Sequence, residues 1–264
     1  MDYEYLLVER RAHVAIVTLN RPDELNALSI DLMREIESVT EEFQEDVETR
    51  AVVFSGAGEH FSAGRDLKDK KMAALEQASL LTKQRLFHLG PRMIRKLREM
   101  DQITIAALNG GALGGGACMV SALDFRVGAE DCFVAYPEAG LGIPLSWLSL
   151  PLCVHLVGPA RAKRLTVLAQ REDARTLLEW GFLDEVVPKG ELLERALEMA
   201  QAYAAKPPIA AQMVKRSVNA ISSALDQAIM HMDSDQVLLA QGTEDFREGV
   251  GAFFQRRSPD FKGR

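Results

Sequence analysis

The order of apolar and polar positions along the first fifty-six residues predicts strand, strand, helix, strand. Tyr5 to Glu9 and His13 to Leu19 read as two strands joined at a polar Arg10-Arg11 turn, a hairpin that Asn20-Arg21-Pro22 ends. Ser29 then suits the N-cap of a helix running to about Gln44, with Ile30, Met33, Ile36, Val39 and Phe43 along one face. AVVFSG, from Ala51 to Gly56, is apolar throughout its first four positions and predicts a buried strand. From Asp69 to Met100 the period is helical and the face is carried by Leu75, Leu81, Leu86, Leu89, Ile94 and Leu97, with a break at Gly90-Pro91. ITIAAL, from Ile103 to Leu108, is a second buried strand, interrupted by Asn109-Gly110-Gly111. The helix after it is apolar around its whole circumference, so it is expected to be buried, with Gly114, Gly115 and Gly116 in its first turn. DFRVGA and CFVAY read as short strands, Gly158-Pro159 opens a helix, Asp173 caps another that stops at Gly181, and FLDEVV is a last strand or extended link.

Helical signals alone continue from Glu191 to Arg257. The pattern therefore gives an α/β protein with crossover units over residues 1–206 and a helical region over 207–264. The apolar faces of that region, with Met230 and Met232, suit either a neighbouring subunit or the chain's own core.

Composition narrows the function classes. The 264 residues are 47% hydrophobic and 26% charged, ordinary for a globular chain, and the net charge of -7 with no long basic block argues against nucleic acid as a partner. MDYEYLLVERR has acids where a signal peptide needs bases, and no apolar run reaches the roughly eighteen residues a membrane span needs, so a cytoplasmic protein without a membrane partner is expected. Cys118, Cys132 and Cys153 form no CxxC pair, which suits reduced thiols and disfavours a zinc cluster. His60 and His88 stand alone, no HExxH occurs, and no metal is expected. GGALGGGA lacks the GxGxxG spacing of a dinucleotide fold, and GxSxG is absent.

The chemistry concentrates between Ile103 and Glu138. A helix leaves its first N–H groups unpaired and carries a partial positive charge there, so the glycine-led helix suits a developing anion, although the same glycines also suit tight packing. The loop SGAGEHFSAGRDL offers small residues at Gly58, Ser62, Ala63 and Gly64; the Ala63 N–H is a candidate second donor, and Asp66 is a candidate cap for the helix that follows. The run PLSWLSLPL is richer in core than in pocket character, and Trp147 suits either.

HFSAGRDL, ITIAALNGGALGGGACMVSALDFRVGAED, YPEAGLGIP and the tail EDFREGVGAFFQRRSPDFKG, in that order and across nearly the whole chain, are similar to the crotonase superfamily, the enoyl-CoA hydratase/isomerase group. The resemblance implies a spiral of strand-strand-helix units, a helical C-terminal trimerisation region, and acyl-CoA thioester substrates with no cofactor beyond the CoA they carry. It implies a homotrimer or a dimer of trimers. By position it puts the oxyanion-hole donors on Ala63 and Gly115 and substrate contacts at Leu25, Ala27 and Leu28, around Gly64, Arg65, Asp66, Gly114, Cys118 and Trp147, and at Lys262 in the tail. Glu138 stands where the family carries its second catalytic glutamate. The first falls on Cys118, which is no carboxylate, and the additional acid of dienoyl-CoA isomerases would fall near Ser146. A single carboxylate can lift a proton at one carbon and return it at another, so the expectation is a 3-enoyl to 2-enoyl-CoA isomerase, with enoyl-CoA hydratase, or a non-catalytic acyl-CoA-binding protein of the fold, as alternatives.

Overall fold

The computed structural model describes residues 3–73 and 77–264. In chain order β1 (Leu6–Arg11) and β2 (Val14–Leu19) precede α1 (Ile30–Glu45) and β3 (Ala51–Gly56); α2 (Lys70–Ala73), α3 (Leu80–Phe87) and α4 (Leu89–Glu99) lead to β4 (Ile103–Leu108), β5 (Gly111–Leu113) and α5 (Gly115–Ala122). Next come β6 (Phe125–Ala129), β7 (Phe133–Ala135), α6 (Ser149–Val157), α7 (Pro159–Val167), β8 (Glu172–Asp173), α8 (Ala174–Glu179) and β9 (Glu185–Val187). The chain finishes on α9 (Leu192–Ala204), α10 (Pro208–Ser222), α11 (Gln227–Met230), α12 (Asp233–Gln241) and α13 (Glu244–Gln255).

Six strands form one sheet in the order β1-β2-β3-β4-β6-β9, antiparallel only at the β1-β2 hairpin and parallel from β2 onward. A second, small sheet joins β5, β7 and β8. Parallel neighbours need crossovers, and α1 supplies the first: Ser29 Oγ accepts the Leu32 N–H at 3.2 Å as its N-cap, and Ile36, Val39 and Phe43 are fully buried. The start of β4 is tied to that of β6 by Asp124, whose Oδ2 accepts the Thr104 N–H at 2.8 Å and the Thr104 hydroxyl at 2.9 Å.

Several boundaries differ from the sequence reading. The hairpin turns at Ala12-His13, with Ala12 at φ +50°, because Arg10 and Arg11 pair with Ala15 and Val14 and so extend the strand. The break expected at Gly90-Pro91 falls at His88; proline is tolerated in the first turn of α4, where its missing N–H costs nothing. Gly111 belongs to β5, not to the turn. Asp69, not Asp66, sits ahead of α2: its two oxygens accept the Lys71 and Ile30 N–H groups, both at 2.8 Å. Leu75 lies outside the described residues, and Leu81 is exposed while Leu89, Ile94 and Leu97 are buried.

Candidate active site

Several segments of the chain, from the loop after β3 to α13, enclose a cavity of about 170 Å³. Ala63 and Arg65 come from the loop after β3, Gly114, Gly115 and Cys118 from the start of α5, Glu138 from the 3-10 turn Pro137–Leu141, and Trp147 from the approach to α6; Val237 of α12 and Phe253 of α13 close it with apolar surface. The loop after β3 is held by buried Asn26, whose side-chain amide donates to the carbonyls of Ala57 and His60, each at 2.8 Å.

Glu138 is positioned by the end of the small sheet. The Gly114 N–H donates to the Ala135 carbonyl at 2.9 Å, which sets the first turn of α5 beside Pro137–Leu141, and the buried Tyr136 hydroxyl bonds Ser121 Oγ at 2.5 Å. A Cβ on Gly114 would stand 3.0 Å from Glu138 Oε1, and its backbone at φ +48°, ψ −119° is a conformation side chains rarely adopt. Although Glu138 as a residue is half-buried, its Oε2 is enclosed and has no hydrogen-bond partner among the described residues. Desolvation therefore pushes this carboxyl from 4.5 up to about 7, against the smaller opposite pull of its own backbone N–H. A carboxylate so placed is poised to exchange protons near neutral pH.

The Gly115 N–H opens α5, among the donors for which a helix has no internal acceptor. The Ala63 N–H differs from expectation: it donates to the Leu25 carbonyl at 2.9 Å and is committed to the loop. The reason is strand geometry. Leu28 and Arg65 form a parallel bridge in which the Leu28 N–H reaches the Gly64 carbonyl (2.7 Å) and the Asp66 N–H reaches the Leu28 carbonyl (3.1 Å). Extended backbone alternates its groups, so the Arg65 N–H is turned away from Leu28. Gly64 runs so near α5 that an added Cβ would lie 3.2 Å from the Gly115 nitrogen. Ala63 thus contributes to the wall of the cavity, and Arg65 is the residue of this strand whose N–H is directed off the bridge.

Cys118 is buried, its thiol 3.9 Å from the Ser146 carbonyl. Burial first, and then the nearby Glu138, raise its pKa well above the ordinary thiol value, so it is a small neutral group and no thiolate nucleophile. The remaining expected contacts are not gathered into the cavity of this single chain. Leu28 is fully buried in the core, and Leu25 is exposed at φ +52°. Asp66 pairs with Arg21 at 3.1 Å, and Arg21 also bonds the Ala27 carbonyl. Lys262 pairs with Asp260 at 2.6 Å on the exposed tail, where its N–H bonds Asp245.

Trp147 does more than line the cavity. A Cβ on Gly115 would stand 2.4 Å from its Cζ3 and one on Gly90 2.2 Å from its Cε2, so the indole fills the gap between α4 and α5 that these glycines leave. Trp147 and Leu148 both have left-handed backbones, at φ +59° and +58°, a conformation that costs a side-chain-bearing residue roughly 1–2 kcal/mol each. Asp233, at the start of α12, accepts the Leu148 N–H at 3.0 Å, and the neighbouring Trp147 N–H also favours its charged form. Leu148 lies 85 positions away, and nothing in the local pattern of DSDQVLLAQ marks Asp233.

A family model for enoyl-CoA hydratase/isomerase matches residues 9–264. The chain belongs to the enoyl-CoA hydratase/isomerase family. Within that family it is similar to a short-chain-enoyl-CoA hydratase of Clostridium acetobutylicum, 32% identical over 267 residues with all of both chains covered. It is similar also to a crotonyl-CoA hydratase of Syntrophomonas wolfei, 30% identical over 263 residues and covering 99% of each. Among solved structures, an enoyl-CoA hydratase from Mycobacterium avium subsp. paratuberculosis superposes with a TM-score of 0.87 at 25% identity, covering 99% of this chain and 100% of the other. This enoyl-CoA hydratase/isomerase family member is accordingly a mixed α/β chain with the family's helical C-terminal region.

Proposed function

We propose that this chain acts on enoyl-CoA thioesters through an enolate, with Glu138 as the proton carrier and the N–H groups of Gly115 and Arg65 holding the thioester oxygen. The enclosed, unpartnered Oε2 of Glu138 beside the amino end of α5 carries the reading. An anion on the oxygen is stabilised by about 3 kcal/mol per oriented donor in comparable sites, which brings the α-carbon within reach of a carboxyl that titrates near 7. No cofactor beyond the CoA of the substrate is needed for that step.

Hydration is the first assignment, because the relatives of 30–32% identity are named as hydratases. One carboxylate balances the reaction. Glu138 takes a proton from water as the oxygen joins the β-carbon, the electron pair moves to the thioester oxygen, and the same carboxyl then protonates the α-carbon. Isomerisation of a 3-enoyl to a 2-enoyl thioester is the second assignment, and Cys118 favours it: a buried neutral thiol is a poor partner for holding a water against Glu138. Parallel incubation with 2-enoyl-CoA and 3-enoyl-CoA, with products identified by mass, tests both. A 3-hydroxyacyl product from the 2-enoyl substrate supports hydration, 2-enoyl product without it supports isomerisation, and no turnover of either by folded protein overturns the proposal.

The same reading includes assembly as a homotrimer, alone or paired. Ile209, Met213, Val214, Val218 and Ile221 on α10 are all more than half exposed, an apolar face that suits a second copy. Met230 is buried within the chain, whereas Met232 stays exposed. A larger apolar groove of about 630 Å³ under α10 borders this face; its carboxylate, Asp124, is already held by Lys215 at 2.7 Å, so it offers no comparable base. A cytoplasmic setting is in keeping with three free, buried cysteines.

A further inference from the structure

The carboxylate of Asp233 belongs to α12, yet it accepts the main-chain N–H of Leu148 at 3.0 Å, in the turn that carries Trp147. That turn is held in the left-handed region at two successive residues with side chains, φ +59° and +58°, where glycine would be at ease. Its product is the seat of the indole, pressed between Gly90 of α4 and Gly115 of α5, so close that neither glycine can carry a Cβ without displacing the ring. Asp233 is buried, and burial pushes its pKa up to about 6 while the Leu148 and Trp147 N–H groups pull it back. A buried carboxylate satisfied by backbone donors is a strong local restraint on the loop that supplies them.

We propose that Asp233 is a positioning residue: by holding the Trp147-Leu148 turn, it keeps the indole braced against Gly115 and so fixes the amino end of α5 where the thioester oxygen must meet it. The inference rests on the assignment of the Gly115 N–H as an oxyanion donor. It makes α12 a part of the catalytic framework although its first residue touches no substrate. Removing the restraint frees the turn to relax out of the left-handed region, the indole tilts, and the donor drifts. A misplacement of about 1 Å at a reacting centre costs on the order of a hundredfold in rate.

The test uses the two tryptophans, Trp147 and Trp180. With Trp180→Phe as background, emission reports the Trp147 indole alone. Asp233→Ala is expected to shift that emission to the red and to lower kcat by about tenfold to a hundredfold, with KM changed far less. Asp233→Asn, which keeps one acceptor, should fall between. Adding Leu148→Gly to Asp233→Ala makes the left-handed backbone easy without restoring the carboxylate, and should recover about tenfold of the lost kcat together with the original emission. An unchanged emission in Asp233→Ala overturns the proposal. So does a shifted emission with unchanged kcat, or a loss that Leu148→Gly leaves in place. Should the parent protein turn over neither enoyl-CoA, the functional assignment fails on its own, while the emission arms still decide whether Asp233 holds the indole.

Discussion

Glu138→Gln separates the cost of burying a charge from the use made of it. Desolvation lifts this carboxyl from 4.5 to about 7, and each unit corresponds to roughly 1.4 kcal/mol, so the folded protein disfavours the ionised form by about 3 kcal/mol. The folded-state pKa lies above the unfolded one. Below about pH 4.5 both states hold the proton and nothing is lost; between 4.5 and 7 the unfolded chain releases it first, and stability declines until the folded carboxyl ionises too. Glutamine carries no charge to bury. The variant should therefore match the wild type at about pH 4.5 and exceed it above pH 7, by at most about 3 kcal/mol, since any water admitted to the cavity lowers the penalty. For a chain of this size each kcal/mol moves Tm by about 2–4 °C, a gap easily read in paired melts. Activity should move the opposite way. Loss of the base costs about 10²–10⁴ in kcat, and the rise of kcat/KM through about pH 7 in the wild type should disappear. A stability gap that is the same at both pH values would show that Glu138 is not held out of water, and near-wild-type turnover would remove it from the reaction.

Three further substitutions probe other parts of the framework. Gly115→Ala puts a Cβ 2.4 Å from Trp147 Cζ3 and should destabilise by about 1–3 kcal/mol in denaturant titration, with Trp147→Phe in the same chain recovering part of the loss. Cys118→Glu adds a second carboxyl near the first; the pair should titrate in two steps, one above the present value of about 7, with lower Tm, and hydration of 2-enoyl-CoA should rise relative to 3-enoyl isomerisation if Cys118 borders the water position. Lys215→Met removes the cation that meets part-buried Asp124 at 2.7 Å but leaves its bonds from Thr104, and should cost about 1–3 kcal/mol of stability with kcat little changed in the folded fraction.

Residue type and spacing made the elements legible where one force dominated. The helix capped by Ser29, AVVFSG as β3 and ITIAAL as β4 stand where their apolar positions put them, because burial decides those segments, on one face of the helix and on both faces of the two strands. The placing of Glu138 beside the glycine-led helix was also legible, from motif order. The orientation of single N–H groups was not. That the Ala63 N–H is spent on the Leu25 carbonyl depends on how residues 25–28 run beside the loop, and the backbone between Ala63 and Arg65 departs from regular extension at Gly64, φ +86°, so no local pattern fixes where either N–H is directed. Asp233 escaped for a different reason, since its role exists only once the chain brings α12 against a turn 85 residues earlier.

The three glycines at the start of α5 show why packing and chemistry cannot be weighed as rival explanations there. A Cβ on Gly114 would meet Glu138 Oε1 at 3.0 Å, one on Gly115 would meet Trp147 at 2.4 Å, and one on Gly116 would meet the Ser62 carbonyl at 2.7 Å. Each glycine thus lets a different wall approach: the Glu138 carboxyl, the Trp147 indole and the loop that carries Arg65. Tight packing is the means by which a donor, a carboxylate and a second backbone strand converge on one cavity of about 170 Å³. Substituting any of the three is therefore expected to perturb stability and, on the proposed assignment, catalysis together. Glu138→Gln leaves those contacts in place, and so tests the proton apart from the packing.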